Sequence, residues 1–249
     1  MNNLLRGENA VITGCTRGIG KSILEKFAKE GANCIACVRK KNDEFEKLCK
    51  NLSDKNKVTI DIVEFDLIDK EQVEKGVKKI LSINKKISIL VNNAGILFNS
   101  LFQMTSEKKL KEMFEINFFS HIYITQLISR EMAKNKNGSI IFISSTSAKR
   151  NDIGRFAYSS SKAAISSTSR VLAKELGIYN IRVNSICPGL TNTDMSKNNT
   201  REDFMKEEKK KISLNRIASP DEIANVALFL GSKLSTYVSG QDVVVDGGV

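Results

Sequence analysis

The chain has 249 residues, of which 41% are apolar, 27% charged and 6% aromatic. This composition excludes collagen-like and disordered proteins, and a chain of about 250 residues buries enough surface to fold without disulfides. Lys and Arg outnumber Asp and Glu by 39 to 28, a formal charge of +11. The densest basic run, KEEKKK at 206–211, is mixed in sign and predicts a solvated helical face, not a nucleic-acid site. An anionic cofactor and an acidic carrier protein remain candidate partners.

The cysteine pattern and the distribution of apolar residues indicate the cellular compartment. The chain has 5 cysteines, an odd number at irregular spacing, which argues against a disulfide framework. Cys34 and Cys37 form a Cys-x-x-Cys motif inside an apolar run, without a second pair, and His121 is the single histidine. We therefore predict a buried strand there and no metal site. Because no signal-peptide segment and no run of about 18 apolar residues occurs, we expect a cytoplasmic protein that binds no membrane.

In chain order, short apolar runs alternate with segments of helical period. The predicted strands are Ala10–Thr13, Asn33–Val38, Val58–Phe65, Ile87–Val91, Ser139–Ile143, Ile181–Ile186 and Val243–Val245. The first helix is predicted to stop at Gly31, and the last begins with the capping sequence Ser219-Pro-Asp-Glu222. The serial alternation predicts an α/β fold, a doubly wound seven-stranded parallel sheet with helices on both faces (Rossmann-like), as a single domain over 1–249.

Chemically unusual residues follow these strands and do not precede them. After the first six strands come, in turn, the glycine loop 14–20, Arg39-Lys-Lys41, Asp66, Asn92-Asn-Ala-Gly95, Ser144-Ser145 and Pro188-Gly189. In an open parallel sheet, ligands bind beyond the carboxyl ends of the strands. The sequence therefore predicts that six loops open onto one site.

The glycine loop predicts a dinucleotide site. Gly14-x3-Gly18-Ile19-Gly20 joins a strand to a helix, where glycines let backbone N–H groups approach a pyrophosphate at the positive end of the helix dipole. At the end of the second strand, Arg39 stands where NAD-binding proteins place a carboxylate, and Arg17 lies in the glycine loop. Two guanidinium groups suit a 2′-phosphate, so we predict NADP(H), although both arginines could be ordinary surface residues.

The predicted helix Phe156–Leu176 carries a candidate catalytic pair, Tyr158 and Lys162, which are spaced to share one helix face. A tyrosine that acts as a general acid near pH 7 needs its pKa lowered by about three units, or ~4 kcal/mol. The ammonium group of Lys162 and an oxidised nicotinamide are candidate sources of this stabilisation. Ser145 is placed to hold a carbonyl oxygen beside the phenol, although Ser144, Thr146 and Ser147 compete for that role. Asn117 either organises a water near Lys162 or is a buried polar residue with satisfied partners.

Together these motifs resemble the short-chain dehydrogenase/reductase family over nearly the whole chain. The resemblance implies that Tyr158 is the acid/base, that Lys162 lowers its pKa and holds the nicotinamide ribose, that Ser145 orients the carbonyl and that Asn117 supports a proton relay. It also implies that Asp66 meets the adenine, that Asn93 shapes the cofactor cleft and that Thr193 lies near the carboxamide. The predicted cofactor-binding residues are Gly14, Thr16, Arg17, Gly18, Ile19, Gly20, Arg39, Asp66, Leu67, Asn93, Ala94, Gly95, Tyr158, Lys162, Pro188, Gly189, Thr191 and Thr193.

Within this family, the C-terminal segment 238–248 and the segment 188–195 look most like those of 3-oxoacyl-acyl-carrier-protein reductases. The resemblance thus implies NADPH-dependent reduction of a 3-oxoacyl thioester, carried by an acidic acyl carrier protein, in a homotetramer. Tyr179, where those reductases tend to have a basic residue, and the polar stretch 149–154 favour the alternative of a small polar ketone or sugar derivative. A non-catalytic NADP(H) sensor is the alternative from another class. We expect Ser196–Asn215 to cover the substrate pocket.

Overall fold

One parallel β-sheet organises the chain. The computed structural model describes residues 3–84, 86–150, 152–199 and 202–249. Its strands are β1 Asn9–Thr13, β2 Asn33–Val38, β3 Ile60–Glu64, β4 Ile89–Asn92, β5 Gly138–Ile143, β6 Ile181–Pro188 and β7 Asp242–Val245. They form a 7-stranded sheet in the order β3-β2-β1-β4-β5-β6-β7, and all neighbours pair in parallel. The predicted doubly wound sheet is confirmed.

Helices cover both faces of this sheet. Their bounds are α1 Gly18–Lys29, α2 Asp43–Asn56, α3 Lys70–Ile83, α4 Glu107–Phe114, α5 Ser120–Asn135, α6 Ser147–Arg150, α7 Phe156–Leu176, α8 Asp194–Asn199, α9 Glu202–Lys211 and α10 Pro220–Gly231. Helices α1, α2 and α10 bury one core against the sheet, whereas α3, α5 and α7 bury the other. No helix among the described residues is long and apolar enough to cross a membrane.

The Cys-x-x-Cys motif lies in β2, as predicted, and both thiols are buried. Cys34 belongs to the core under α1, whereas Cys37 belongs to the core on the opposite face of the sheet. Alternate residues of a strand point to opposite faces, and residues three apart therefore do so too. The two thiols cannot meet, and burial raises the pKa of each well above its ordinary value.

Three predicted strands miss an observed strand end by two residues, and the other differences in the strand ends are one residue. β3 begins at Ile60 and not at Val58, because Lys57 closes α2 in the left-handed conformation (φ 57°) and the Val58 N–H still bonds to the carbonyl of Ser53. β4 is shifted two residues later at its start and includes Asn92 at its end. β6 continues through Pro188, which can end a strand because it pairs there with Val245 and needs no N–H.

The helix ends follow the signals in the sequence. Gly31 has φ +89°, a conformation that favours glycine, and its N–H bonds to the carbonyl of Ala28 just beyond the end of α1. At α10, the Ser219 N–H donates to Glu222 Oε2 at 2.8 Å, which completes the predicted capping box.

Gly76 on α3 provides a test of this packing. A Cβ added there would overlap the ring of Phe65, just after β3. We expect Gly76→Ala to lower the free energy of unfolding by ~1–3 kcal/mol, because the helix must move away from the sheet. Urea titration measures this change. Gly177→Ala is the matched control, since a Cβ there meets nothing within 4 Å, and its effect should be below about 1 kcal/mol. Equal effects would contradict the packing argument.

Candidate active site

A cavity of about 630 Å³ opens beyond the carboxyl ends of the strands. All six predicted loops contribute to its wall, as the sheet topology requires. The predicted residues that line it are Gly14, Thr16, Arg17, Gly18, Ile19, Gly20, Arg39, Asp66, Leu67, Asn93, Ala94, Gly95, Ser145, Tyr158, Lys162, Pro188, Gly189, Thr191 and Thr193. Of the predicted site residues, only Asn117 lies behind this lining.

In the glycine loop, no side chain would fit at Gly14 or Gly20. Gly14 has φ +74°, and a Cβ there would lie 2.9 Å from the Cα of Ala94. A Cβ at Gly20 would overlap the carbonyl oxygen of Gly14. At the N-terminus of α1, the N-cap Arg17 makes no side-chain cap, and the first turn has no acidic residue. The free N–H groups and the helix dipole therefore suit a pyrophosphate.

Thr13 and Asn93 join the glycine loop to the loop after β4. Thr13 Oγ1 accepts hydrogen bonds from the N–H groups of Asn93 (2.9 Å) and Ala94 (3.0 Å). Asn93 Nδ2 donates in return to the carbonyls of Thr13 and Gly14, at 2.8 and 3.2 Å. Thr13 is a site residue that the prediction missed, although its position directly before the glycines is the signal that marks it.

The far end of the cavity is basic. Arg17 and Arg39 are exposed and line it together with Lys40. Lys41 instead pairs with Glu46, with its Nζ 2.5 Å from Oε1. Asp66 lines the same cavity, and its Oδ1 accepts the N–H of Ile68 at 3.1 Å.

Hydrogen bonds distinguish Ser145 from its three hydroxyl neighbours. Ser144 Oγ donates to the carbonyl of Lys162 at 2.9 Å, and Thr146 Oγ1 donates to that of Pro188 at 3.3 Å. Ser147 Oγ contacts Asp152 at 3.3 Å. Ser145 Oγ accepts the N–H of Ser147 at 3.1 Å, and of the four hydroxyl residues it alone lies near enough to Tyr158 to lower the pKa of the phenol. This is the arrangement that a carbonyl oxygen needs between two hydroxyls.

Tyr158 and Lys162 are both buried, at 9% and 4% exposure. Burial raises the pKa of Tyr158, against smaller lowering effects from the hydrogen bond of Ser145 and the charge of Arg155. Lys162 Nζ donates to the carbonyl of Ile143 at 2.8 Å and lies 5.8 Å from the centre of the Tyr158 ring. On balance the pKa of Tyr158 is raised and not lowered in this structure, and the predicted effect of Lys162 on it stays a prediction. Burial in turn lowers the pKa of Lys162 to about 8.

Asn117 is fully buried in a π-helical turn, Glu115–Phe119, that joins α4 to α5. Its Oδ1 accepts the N–H of Ile96 at 2.8 Å, and its Nδ2 donates to the Ile96 carbonyl at 3.0 Å and to Ser161 Oγ at 3.2 Å. Both polar atoms of the Asn117 side chain are thus hydrogen-bonded to other protein groups. This favours the alternative that Asn117 is a buried polar residue with satisfied partners over the alternative that it organises a water. Single-turn π segments are frequent at functional sites, but no sequence pattern revealed this one.

His121 contacts the loop after β4 on the side away from the cavity. Its Nε2 lies 2.7 Å from the carbonyl of Ala94, and its Nδ1 lies 3.2 Å from Asn92 Oδ1. Burial lowers the pKa of His121 to about 4, so the ring is neutral near pH 7. Its position on the buried face of α5 resembles any core residue, and the prediction gave it no role. Within the described residues, no group of three His, Cys, Asp or Glu side chains is placed to hold a metal.

The part of the cavity under the predicted lid is charged. Ser196 and Glu208 of that lid, together with Met195 just before it, line the cavity, whereas Thr200 and Arg201 of the lid lie outside the described residues. From the loop after β5 come Arg150, Asp152 and Arg155. Two residues of the polar stretch at 149–154, Arg150 and Asp152, are therefore part of the cavity wall.

Comparison with known proteins agrees with this geometry. The family model described as enoyl-(acyl carrier protein) reductase matches residues 14–249. The 3-oxoacyl-[acyl-carrier-protein] reductase of Chlamydia muridarum is 38% identical, with full coverage of both chains. L-rhamnose 1-dehydrogenase (NADP(+)) of Thermoplasma acidophilum is 35% identical over 98% of this chain and 96% of its own. L-sorbose reductase of Gluconobacter frateurii, solved with NADPH and L-sorbose, has a TM-score of 0.91 at 32% identity, over 100% of this chain and 98% of its own.

The chain belongs to the short-chain dehydrogenase/reductase family. It is an oxidoreductase of the kind that interconverts CH–OH and carbonyl groups, the reactions for which its relatives are named.

The buried ammonium of Lys162 predicts a pH-dependent stability. Its pKa is about 8 in the folded protein against 10.5 ordinarily. Between these two pKa values Lys162 is protonated in the unfolded chain but largely neutral in the folded protein, so the free energy of unfolding rises with pH. We expect Lys162 to contribute a gain of ~2 kcal/mol in the free energy of unfolding between about pH 7 and pH 9.5. Urea titrations of the wild type and of Lys162→Met measure this as a difference, and parallel pH profiles would contradict it.

Proposed function

We propose that this protein reduces a ketone to a secondary alcohol with NADPH, and that its substrate is a 3-oxoacyl thioester. The observation that carries the proposal is the meeting of Ser145, Tyr158 and Lys162 in one cavity with a glycine loop suited to a pyrophosphate. The family membership and the 3-oxoacyl reductases among its relatives support it.

The residues present fit a nicotinamide dinucleotide. The backbone of 14–20 and the N-terminus of α1 would hold the pyrophosphate, with Thr16 and Ile19 in the same wall. Asp66 and Leu67 would border the adenine, and Arg17 and Arg39 would hold a 2′-phosphate. Asn93, Ala94, Gly95, Pro188, Gly189, Thr191 and Thr193 would border the nicotinamide half, with Lys162 on its ribose.

A bound NADPH supplies hydride for the carbonyl carbon, and its oxidised form supplies a positive charge. Tyr158 gives its phenolic proton to the carbonyl oxygen, and the Ser145 hydroxyl donates a hydrogen bond to that oxygen. Since burial raises the pKa of Tyr158, the phenol remains protonated until the reaction. Lys162, which is held by the carbonyl of Ile143, stabilises the phenolate that forms.

A small polar ketone or sugar derivative is the second candidate substrate. It is favoured by the charged wall of Arg150, Asp152, Arg155 and Glu208. The relatives named for rhamnose and sorbose support it as well. A non-catalytic sensor of NADP(H) is less consistent with a serine, a tyrosine and a lysine that line the same cavity.

The proposal extends to the partners. The charge of +11 suits an acidic acyl carrier protein, and the helices around Phe114–Met132 and Phe156–Leu176 would pack a homotetramer. The exposed rings of Phe102 and Phe119 beside these helices support such packing. A cytoplasmic location agrees with 5 cysteines that are all free thiols.

Tyr158→Phe tests the reaction. We expect NADPH oxidation with an acetoacetyl thioester to fall at least about a hundredfold, because the proton donor is gone, while NADPH binding stays nearly unchanged. Fluorescence titration and absorbance assays measure the two effects. Tyr237→Phe, which removes an exposed phenol, is the control and should keep full activity. Equal activity in both variants would contradict the role of Tyr158 as proton donor. Absence of turnover by the wild type with every thioester and keto sugar would favour the sensor, and turnover of keto sugars without any thioester would favour the second substrate.

Arg39→Ala tests the cofactor preference. Loss of one charged hydrogen-bond donor should weaken NADPH binding about tenfold to a hundredfold and leave NADH binding nearly unchanged. Lys41→Ala is the matched control, because Lys41 belongs to the same basic segment but pairs with Glu46. Tighter binding of NADH than of NADPH by the wild type would refute the preference.

A further inference from the structure

Four charged side chains form a continuous wall on one side of the cavity, next to Tyr158. Arg150 joins the loop after β5 to the lid helix α9, with its guanidinium nitrogen 2.8 Å from Glu208 Oε2. Asp152 lies between the two arginines, 3.9 Å from Arg150 and 3.6 Å from Arg155. Arg155 also donates to Ser147 Oγ at 3.0 Å. The side chains of this wall are 12–26% exposed, so they are enclosed but still in contact with water.

The wall begins beside the reacting group. Arg155 lies three residues before Tyr158, one helical turn away, and is near enough for its charge to favour the phenolate. Glu208 forms the other end, on the lid. A substituent of the ketone that extends from Ser145 and Tyr158 under the lid therefore meets paired charges on this side.

An alkyl chain that packs against these ion pairs displaces their remaining water and offers them no hydrogen bond. The ion pairs then lose hydration free energy, and no new attraction compensates for it, because the charges are already paired. A hydroxyl or a short acyl group either bonds to the wall or does not reach it.

We propose that Arg150, Asp152, Arg155 and Glu208 determine substrate specificity by excluding long alkyl substituents, so that short 3-oxoacyl or hydroxylated ketones are preferred. This inference rests on the proposed ketone reduction. Because both cations of the wall are paired with its anions, and Glu208 is also paired with the exposed Lys211, the wall selects for polarity and size.

A series of thioesters tests the wild type. With NADPH and the N-acetylcysteamine thioesters of acetoacetate, 3-oxohexanoate and 3-oxooctanoate, kcat/KM should stay level or fall as the chain grows. In an apolar channel each added methylene would raise kcat/KM about fourfold, the factor that corresponds to ~0.8 kcal/mol. A rise of that size would overturn the inference and leave the proposed function intact. If no thioester and no keto sugar is reduced, the proposed function fails and this inference fails with it.

The double variant Arg150→Met/Glu208→Met tests the wall itself. It replaces both partners of this ion pair by apolar side chains, so that neither charge remains buried without its partner. The variant should therefore still fold. We expect kcat/KM for 3-oxooctanoyl relative to acetoacetyl thioester to rise at least about tenfold. Glu207→Met/Lys210→Met is the matched control, because this pair on the same helix is exposed and 2.7 Å apart but outside the cavity lining. The inference is wrong if both variants keep the wild-type preference or change it equally.

Discussion

The hydroxyl of Thr13 fixes the geometry on which the site depends. By accepting two backbone N–H groups, it sets the distance between the glycine loop and the loop after β4. Gly14 and Ala94 are then so close that no side chain fits between them. One residue further, Gly95 lies against Asn117 and Lys162, where an added Cβ would be 3.1 Å from Oδ1 and 3.5 Å from Nζ. One series of contacts thus connects the glycine loop with Lys162, next to Tyr158 on α7.

Burial of the reactive groups has a cost in stability. The ammonium of Lys162 and the phenol of Tyr158 lie where water is scarce, and the neutral form of each is favoured. The side chains behind them add no further buried charge or unpaired amide, because His121 is neutral near pH 7 and both polar atoms of the Asn117 side chain are hydrogen-bonded. Buried side chains with hydrogen-bond partners therefore surround the phenol, which is proposed to give up its proton, and the ammonium beside it, an arrangement that favours electrostatic preorganisation.

The same framework serves relatives named for acyl thioesters and for sugars. What distinguishes substrates in such a fold must lie in the loops beyond the sheet, since the strands and the glycine loop are committed to packing. In this chain those loops bring opposite charges together across the lid, from positions 58 residues apart. The side of the cavity formed by Arg150 and Glu208 is therefore more polar than the side formed by Ile96 and Leu97.

The sequence by itself determined the features that depend on near neighbours or on strict periodicity: the parallel sheet, the capping box of α10, the glycine loop and the placing of Tyr158 and Lys162 on one helix face. Strand ends were less certain, as at Lys57, because local backbone geometry decides them. Only the tertiary structure decided which serine faces the phenol, how Asn117 is used and where Arg150 finds Glu208. Those outcomes depend on contacts between residues far apart in the chain, and no local pattern records such contacts.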